Sequence, residues 1–304
     1  MVKINVGTLS ATMRDEPDVS TQAAVSDIER TTIHASFFAL ACGTVGMLGV
    51  AVGTLISPGE GSSLGWALHA GGWVLVAIAI IAHIEHLSNR LGRASVICGI
   101  VAAVAMGVAD VPFAIDSTWV NNTGWVNWYN GMWAASSIFA AASLALAAMR
   151  KEARLTAHLA SGNTGSYAVE DYATTVHASF LSLVTGALGF LLAGISSLIL
   201  IGGGGPAIRL SWILFSLGSL VIAVAVISHI EHLSLSLGRP AIIIGALAMV
   251  LNALSTVPGV LDPVGSDTFG TSFSWVLWGA ASVAATIAIG LVAIRRRVSL
   301  TLEN

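Results

Sequence analysis

Charged residues are scarce in this sequence. Only 10% of its 304 residues are Asp, Glu, Lys or Arg, and 55% are hydrophobic, whereas a soluble domain carries about 25% charged residues. Both cysteines, Cys42 and Cys98, fall in long apolar segments, which argues against a disulfide framework. The chain has no phosphate-binding loop, no nucleophile elbow, no nucleic-acid-binding patch and no lysine in an apolar segment that could carry retinal. This composition is that of an integral membrane protein.

Long apolar runs are what the chain has instead. Eight of them approach the roughly 20 residues that a membrane-spanning helix needs, and the alternation of period two that a barrel strand requires is absent. We therefore predict an all-α integral membrane protein with eight transmembrane helices. The predicted spans are 33–56, 65–87, 94–115, 128–149, 176–201, 210–233, 240–261 and 272–294.

The basic residues are distributed unevenly about these spans. Twelve of the 13 lysines and arginines lie at the end of the spans where the chain begins, and only Arg209 lies at the opposite end. Segments rich in lysine and arginine remain in the cytoplasm. We therefore predict a multi-pass protein of the cell membrane, with the N-terminus and the C-terminus both cytoplasmic.

The chain contains an internal repeat. The segment TTIHASF at 31–37 returns as TTVHASF at 174–180, and HIEHLS at 83–88 returns at 229–234, each time followed within a few residues by Leu-Gly-Arg. The offsets are 143 and 146 residues. Because each half holds four predicted spans, an even number, the second half enters the membrane in the same orientation as the first. We predict two parallel tandem-repeat four-helix bundles.

The repeat divides the chain into five segments. The N-terminal segment is polar and acidic and has no apolar run of the signal-peptide type, and the segment between the halves contains Ser-Gly-Asn and Gly-Ser. The predicted segments are a cytoplasmic N-terminal tail at 1–30, a first four-helix membrane repeat at 31–150, a cytoplasmic linker at 151–172, a second four-helix membrane repeat at 173–297 and a C-terminal tail at 298–304.

Histidines gather at the predicted cytoplasmic end of both halves. Successive spans run antiparallel, so a histidine that begins the first span of a half and a pair that ends the second reach the same depth. Polar groups are costly at membrane depth, so a duplicated cluster indicates function. Imidazoles on facing helices can ligate a haem iron from both sides, or can bind Fe, Cu or Zn with a carboxylate. The predicted haem b or transition-metal ligands are His34, His83, His86, His177, His229 and His232.

Each histidine pair brackets a glutamate. Glu85 and its counterpart Glu231 lie off the face that the two histidines share, so neither needs to bind the metal. We predict that each hydrogen-bonds either an imidazole of a neighbouring helix or the arginine of the following turn. The alternative is structural: His34 would cap its helix, and the other histidines would bond buried carbonyls or reach the membrane interface.

Two further polar residues fall in predicted spans near the other end. His69 precedes His83 by 14 residues, nearly four helical turns, a spacing that resembles the two-haem helix of b-type cytochromes. Its counterpart in the second half is Phe215, so we predict a structural or pigment-binding role. Asp110, whose counterpart is Thr256, either binds a proton or cation or hydrogen-bonds a neighbour or water.

Proline and tryptophan mark the predicted outer side. Pro112 and Pro258 occur in the third span of each half and are predicted to kink it. Trp119, Trp125 and Trp128 are predicted to form an aromatic belt at the outer interface.

The leading functional prediction is a membrane electron-transfer subunit. Each half would hold one b-type haem, and electrons would pass between quinone in the lipid bilayer and a membrane or cytoplasmic redox subunit. Three alternatives stay open: a metal-dependent integral membrane enzyme acting on an apolar substrate, a transporter or channel, and a cofactor-free membrane assembly subunit. No nucleic-acid partner is expected.

Overall fold

The computed structural model describes residues 37–56, 62–160, 180–202, 205–228, 237–262 and 268–302. Within these ranges every regular element is helical, and eight helices are long and apolar enough to cross a membrane. The predicted helical class and the predicted number of apolar helices are thus confirmed. In chain order the helices are α1 (Phe37–Ile56), α2 (Ser63–Ile81), α3 (Ile84–Leu91), α4 (Arg93–Ile115), α5 (Thr123–Ala160), α6 (Phe180–Leu200), α7 (Gly205–Ile227), α8 (Arg239–Leu254), α9 (Val257–Leu261) and α10 (Thr268–Leu302), with a 3-10 turn at Ser117–Asn121.

The eight long helices close into a ring. Each packs extensively against the one before it and the one after it, and α10 returns to pack against α1. Contacts between the halves, α5 with α6 and α10 with α1, are as extensive as those within each half. The packing of the described residues is therefore continuous around the ring.

The two ends of the ring differ in composition. We call one the basic end, because Arg93, Arg150, Arg239 and Arg295 lie there, and the other the aromatic end, because its helix ends carry most of the tryptophans. Basic-residue distribution predicts that the basic end is cytoplasmic.

Glycines set the same helix crossing in both halves. A Cβ on Gly46 of α1 would lie 2.7 Å from the carbonyl oxygen of Gly72 of α2, and a Cβ on Gly189 of α6 would lie 2.7 Å from that of Gly218 of α7. Only glycine permits backbones to approach this closely, and such contacts drive helix association where both lipid and helix are apolar.

The turn that follows each histidine cluster is also built alike. Gly92 and Gly238 have φ values of 94° and 88°, which favour glycine. An arginine packs over each: the side chain of Arg150 lies 3.0 Å, and that of Arg295 3.1 Å, from the position a Cβ would occupy. Matched residues therefore make matched contacts at the basic end of both halves.

The second helix of the first half ends earlier than predicted. The predicted span 65–87 stops at Ile81, because the backbone N–H of His83 bonds to the carbonyl of Ile80, three residues back, and tightens the last turn. The chain then restarts as α3, whose apolar residues Ile84, Leu87 and Leu91 follow helical spacing. The polar composition that begins at His83 thus forms a separate amphipathic helix at the basic end.

Aromatic side chains fill the interior of the ring at the aromatic end. Trp66 of α2 contacts Tyr129 of α5 and Trp275 of α10, with ring centroids 5.8 and 6.1 Å apart, although neither helix is its neighbour in the ring. Trp133 of α5 meets Trp278 of α10 at 5.0 Å. These contacts cross the interior, so the two halves share one aromatic core at this end.

Candidate functional site

Most of the predicted ligand cluster lies outside the described residues. Five of the eight predicted site residues are outside the described ranges: His34, His177, His229, His232 and Glu231. His86 and Glu85 belong to α3, of which the structure describes only the backbone at these two positions. The haem or metal site therefore stays a prediction.

The side chain of His83 is described. It is half-buried at the turn between α2 and α3, where it occupies the N-cap position of α3. Because α2 ends at Ile81, the face that His83 and His86 share belongs to α3 and is not continuous with the face of α2 that carries His69. The four-turn spacing from His69 to His83 therefore does not describe one straight helix.

A buried polar pair lies at the opposite end, between α2 and α4. Nδ1 of His69 and Oδ2 of Asp110 are 2.6 Å apart. Asp110 is 0% exposed and His69 is 5% exposed. A distance this short is typical of a charge-assisted hydrogen bond. The pair is the principal titratable feature of the described helices' interior.

Aromatic rings enclose the pair on both sides. Trp66 lies one turn from His69 on α2, and Phe113 lies one turn from Asp110 on α4, both toward the aromatic end. Their two rings pack with centroids 4.9 Å apart. On the other side, Trp73 packs edge-on against the imidazole at 6.4 Å. The enclosure excludes lipid and water, which strengthens the electrostatic interaction between the two groups.

One oxygen of Asp110 has no hydrogen-bond partner among the described residues. This atom, Oδ1, is fully buried, and the indole N–H groups of Trp66 and Trp73 are buried without an acceptor there as well. A buried polar atom without a partner costs free energy. Oδ1 is thus a position where a proton or a donor group would be stabilised.

Tyr129 of α5 packs against the aromatic enclosure of the pair. Its ring lies 5.8 Å from Trp66 and 5.6 Å from Phe113, and 5.8 Å from Trp133 on its own helix. Tyr129 therefore connects the rings around the pair with the aromatic interior shared by both halves.

The second half lacks both members of the pair. The positions 146 residues further on are Phe215 and Thr256. Phe215 packs against Trp133 at 6.0 Å, and the Thr256 hydroxyl donates to the carbonyl of Ala253 at 2.8 Å. The joint replacement of two residues at one constant offset is the sequence signal that could have identified them as partners.

Gly53 fixes the position of His69 from the α1 side. A Cβ on Gly53 would lie 2.7 Å from the backbone nitrogen of His69 and 3.0 Å from its Cβ. The α1 backbone thus lies directly against α2 at this level and holds the imidazole toward α4.

Comparison with known proteins identifies no relative. A scan against protein-family models matched none, and searches of curated proteins and of solved structures found no match. Within the described ranges, no group of three or more His, Cys, Asp or Glu side chains is placed to hold a metal ion.

Proposed function

We propose that the protein is a membrane electron-transfer subunit in which each half holds one b-type haem near the basic end and exchanges electrons with quinone or with a partner redox subunit. The organisation that goes with this function is two parallel tandem-repeat four-helix bundles in the cell membrane, with both termini cytoplasmic. A duplicated histidine cluster is the observation that carries the proposal.

The surroundings of the two clusters support a duplicated site. Each cluster is followed by a glycine with positive φ, Gly92 or Gly238, covered by Arg150 or Arg295. The turn that follows the histidine segment is therefore the same in both halves. Gly238 follows Gly92 by 146 residues, and Arg295 follows Arg150 by 145. If the histidines only capped a helix locally, neither the glycine nor the arginine would need such a counterpart.

The donor set fits a haem. Imidazole nitrogen is the usual axial ligand of b-type haem iron. In the proposed arrangement His34 pairs with His83 or His86, and His177 pairs with His229 or His232. A bound haem would supply one-electron transfer, while Glu85 and Glu231 would orient an imidazole by hydrogen bonding. The same histidines could instead hold Fe, Cu or Zn.

An optical spectrum of the purified full chain tests the proposal. Expression in a host supplied with haem should give a Soret band and about one haem per half. His34→Ala should remove the haem of the first half and leave the other, and His177→Ala should do the reverse. His158→Ala, a histidine outside the repeated motifs, is the matched control and should leave the haem content unchanged. A protein without haem but with stoichiometric metal would support the metal-dependent enzyme instead, and a protein with neither would support an assembly subunit.

A proton-coupled transporter is the second candidate, and the buried His69–Asp110 pair is the observation that favours it. Intramembrane acids and histidines commonly form proton relays in transporters. A haem-free protein that acidifies or alkalinises proteoliposomes on addition of a solute would favour this candidate.

The proposed orientation is testable separately. Single cysteines placed at Ser62 and Asn122 should react with a membrane-impermeant thiol reagent added outside intact cells, because both lie at the aromatic end. A cysteine at Asn163, in the proposed cytoplasmic linker, should react only after the cells are opened. Labelling of the Asn163 position from outside would contradict the orientation.

A further inference from the structure

We propose that His69 and Asp110 form a reversible proton-binding site in the first half. The proposal goes beyond the electron-transfer function and does not rest on it, since a transporter or a cofactor-free subunit could use the same site.

The hydrogen bond between His69 and Asp110 determines where an added proton binds. The 2.6 Å hydrogen bond between Nδ1 of His69 and Oδ2 of Asp110 occupies one carboxyl oxygen, so an added proton binds at the unpartnered Oδ1 of Asp110. Uptake forms one O–H bond, and release breaks it. The charge of the pair changes by one, and no other bond or electron is involved.

A helix pair of this kind forms in the second half without a buried acid and histidine. The second half builds the corresponding helix pair, α7 and α8, with Phe215 and Thr256 at these positions, and it retains the close crossing of α6 and α7 at Gly189 and Gly218. A buried acid and histidine are costly within a membrane-spanning segment. Their presence in one half only points to a role beyond helix packing.

The surroundings leave the pair electrically isolated. Among the described residues, α1 presents no acid, base or tyrosine to α2, and α5 presents Tyr129. Asp116 lies beyond the end of α4, where its carboxylate accepts from the backbone N–H and the hydroxyl of Thr118. The net charge of the site is thus set by His69, Asp110 and Tyr129 alone within this part of the chain.

Infrared difference spectroscopy on the full chain in lipid nanodiscs tests the proposal. Titration from about pH 4 to about pH 10 should reveal the C=O band of a buried carboxylic acid, which shifts in D₂O. Asp110→Asn should remove the band. His69→Phe should move its midpoint by about one pH unit or more, because the charge partner is lost.

Two controls make the result decisive. Asp116→Asn removes an acid just beyond the end of the same helix and should leave the buried band intact. The double variant His69→Phe/Asp110→Thr carries the residues of the second half, so it should fold even if a single substitution does not, and it should lack the band. A wild-type difference spectrum that is unchanged by Asp110→Asn, or by the folded double variant, would overturn the proposal and leave the pair a static hydrogen bond. Haem content plays no part in this readout, so failure here and failure of the electron-transfer proposal are distinguishable.

Discussion

The second and third long helices of each half join through different polar contacts. In the first half α2 and α4 join through His69 and Asp110, a pair that can carry charge. In the second half α7 and α8 join through Asn252, whose amide donates to the hydroxyl of Ser219 at 2.9 Å. Both contacts satisfy buried polar groups between apolar helices. The difference indicates that the repeat provides a scaffold, and that only the first half uses it to hold a titratable pair.

The two contacts also lie one turn apart. Ser219 and Asn252 lie four residues closer to the basic end than Phe215 and Thr256, which occupy the positions of the charged pair. In the first half the positions of Ser219 and Asn252 are taken by Trp73 and Met106. The residues that make the polar contact in one half are thus replaced at the matched positions of the other half.

The backbone differs at the same level. The helix α4 continues through Asp110 and Pro112, whereas in the second half α8 ends at Leu254 and α9 begins at Val257. The hydroxyls of Ser255 and Thr256 donate to the carbonyls of Asn252 and Ala253, three residues back, at 2.7 and 2.8 Å. Such side-chain bonds compete with the helical backbone bonds and interrupt the helix. Proline alone does not interrupt the helix at this level, since Pro112 lies inside the continuous helix α4.

Asp110→Ala should have the largest effect on stability. It leaves His69 buried without its partner, and the free energy of unfolding should fall by about 3 kcal/mol. Thermal unfolding in detergent, followed by circular dichroism, measures the change. Thr256→Ala is the matched control in the second half, because it removes only a local hydroxyl bond, and it should cost well under half as much. Equal losses at the two positions would mean that the pair is no stronger than a neutral contact.

The glycine crossings should respond alike in both halves. Gly72→Ala and Gly218→Ala each place a Cβ against the backbone of the facing helix, so each should lower the free energy of unfolding by about 1–3 kcal/mol. Gly71→Ala is the control, since nothing lies within 4 Å of its added Cβ, and it should be neutral or slightly stabilising. A large effect in one half only would show that the scaffold itself has diverged.

The helices were predictable from sequence because a span needs a long apolar run, and all eight runs became helices. The end of α2 at Ile81 and the interruption before Val257 were not predictable from sequence. Both depend on which carbonyl oxygen accepts a hydrogen bond from a particular N–H or hydroxyl group. Only the side chain of His83, among the predicted ligands, lies where the structure can place it.

The His69–Asp110 pair was missed for a different reason. Its members are 41 residues apart in sequence and meet only because α2 packs on α4. Each residue alone marks only a polar position in a span, and their joint absence from the second half is the one sequence signal that links them. Contact across helices is a tertiary property that composition and helical spacing do not carry.

Asn252→Ala should have a smaller effect than either change above. It removes one neutral hydrogen bond between α7 and α8, and such bonds contribute about 0.6 kcal/mol on average within membrane proteins. Asn252→Met, which introduces the residue found at the matched position in the first half, should cost no more because it also fills the space. Unfolding midpoints measured under the conditions used for Asp110→Ala allow direct comparison. A loss as large as that of Asp110→Ala would make the neutral contact as important as the charged pair.

The double variant His69→Phe/Asp110→Thr should have the smallest effect on stability. Replacing a buried pair as a whole leaves no uncompensated charge, and apolar replacements of similar volume are often neutral, so the free energy of unfolding should stay within about 1 kcal/mol of wild type. The second half already accommodates these two residues between corresponding helices. Thermal unfolding of the double variant beside each single variant measures the coupling between the two positions. If the double variant loses as much stability as Asp110→Ala, the packing of the first half has been rebuilt around the pair, and the halves are not interchangeable even as scaffolds. If it is stable, any activity that it loses belongs to the pair and not to the fold.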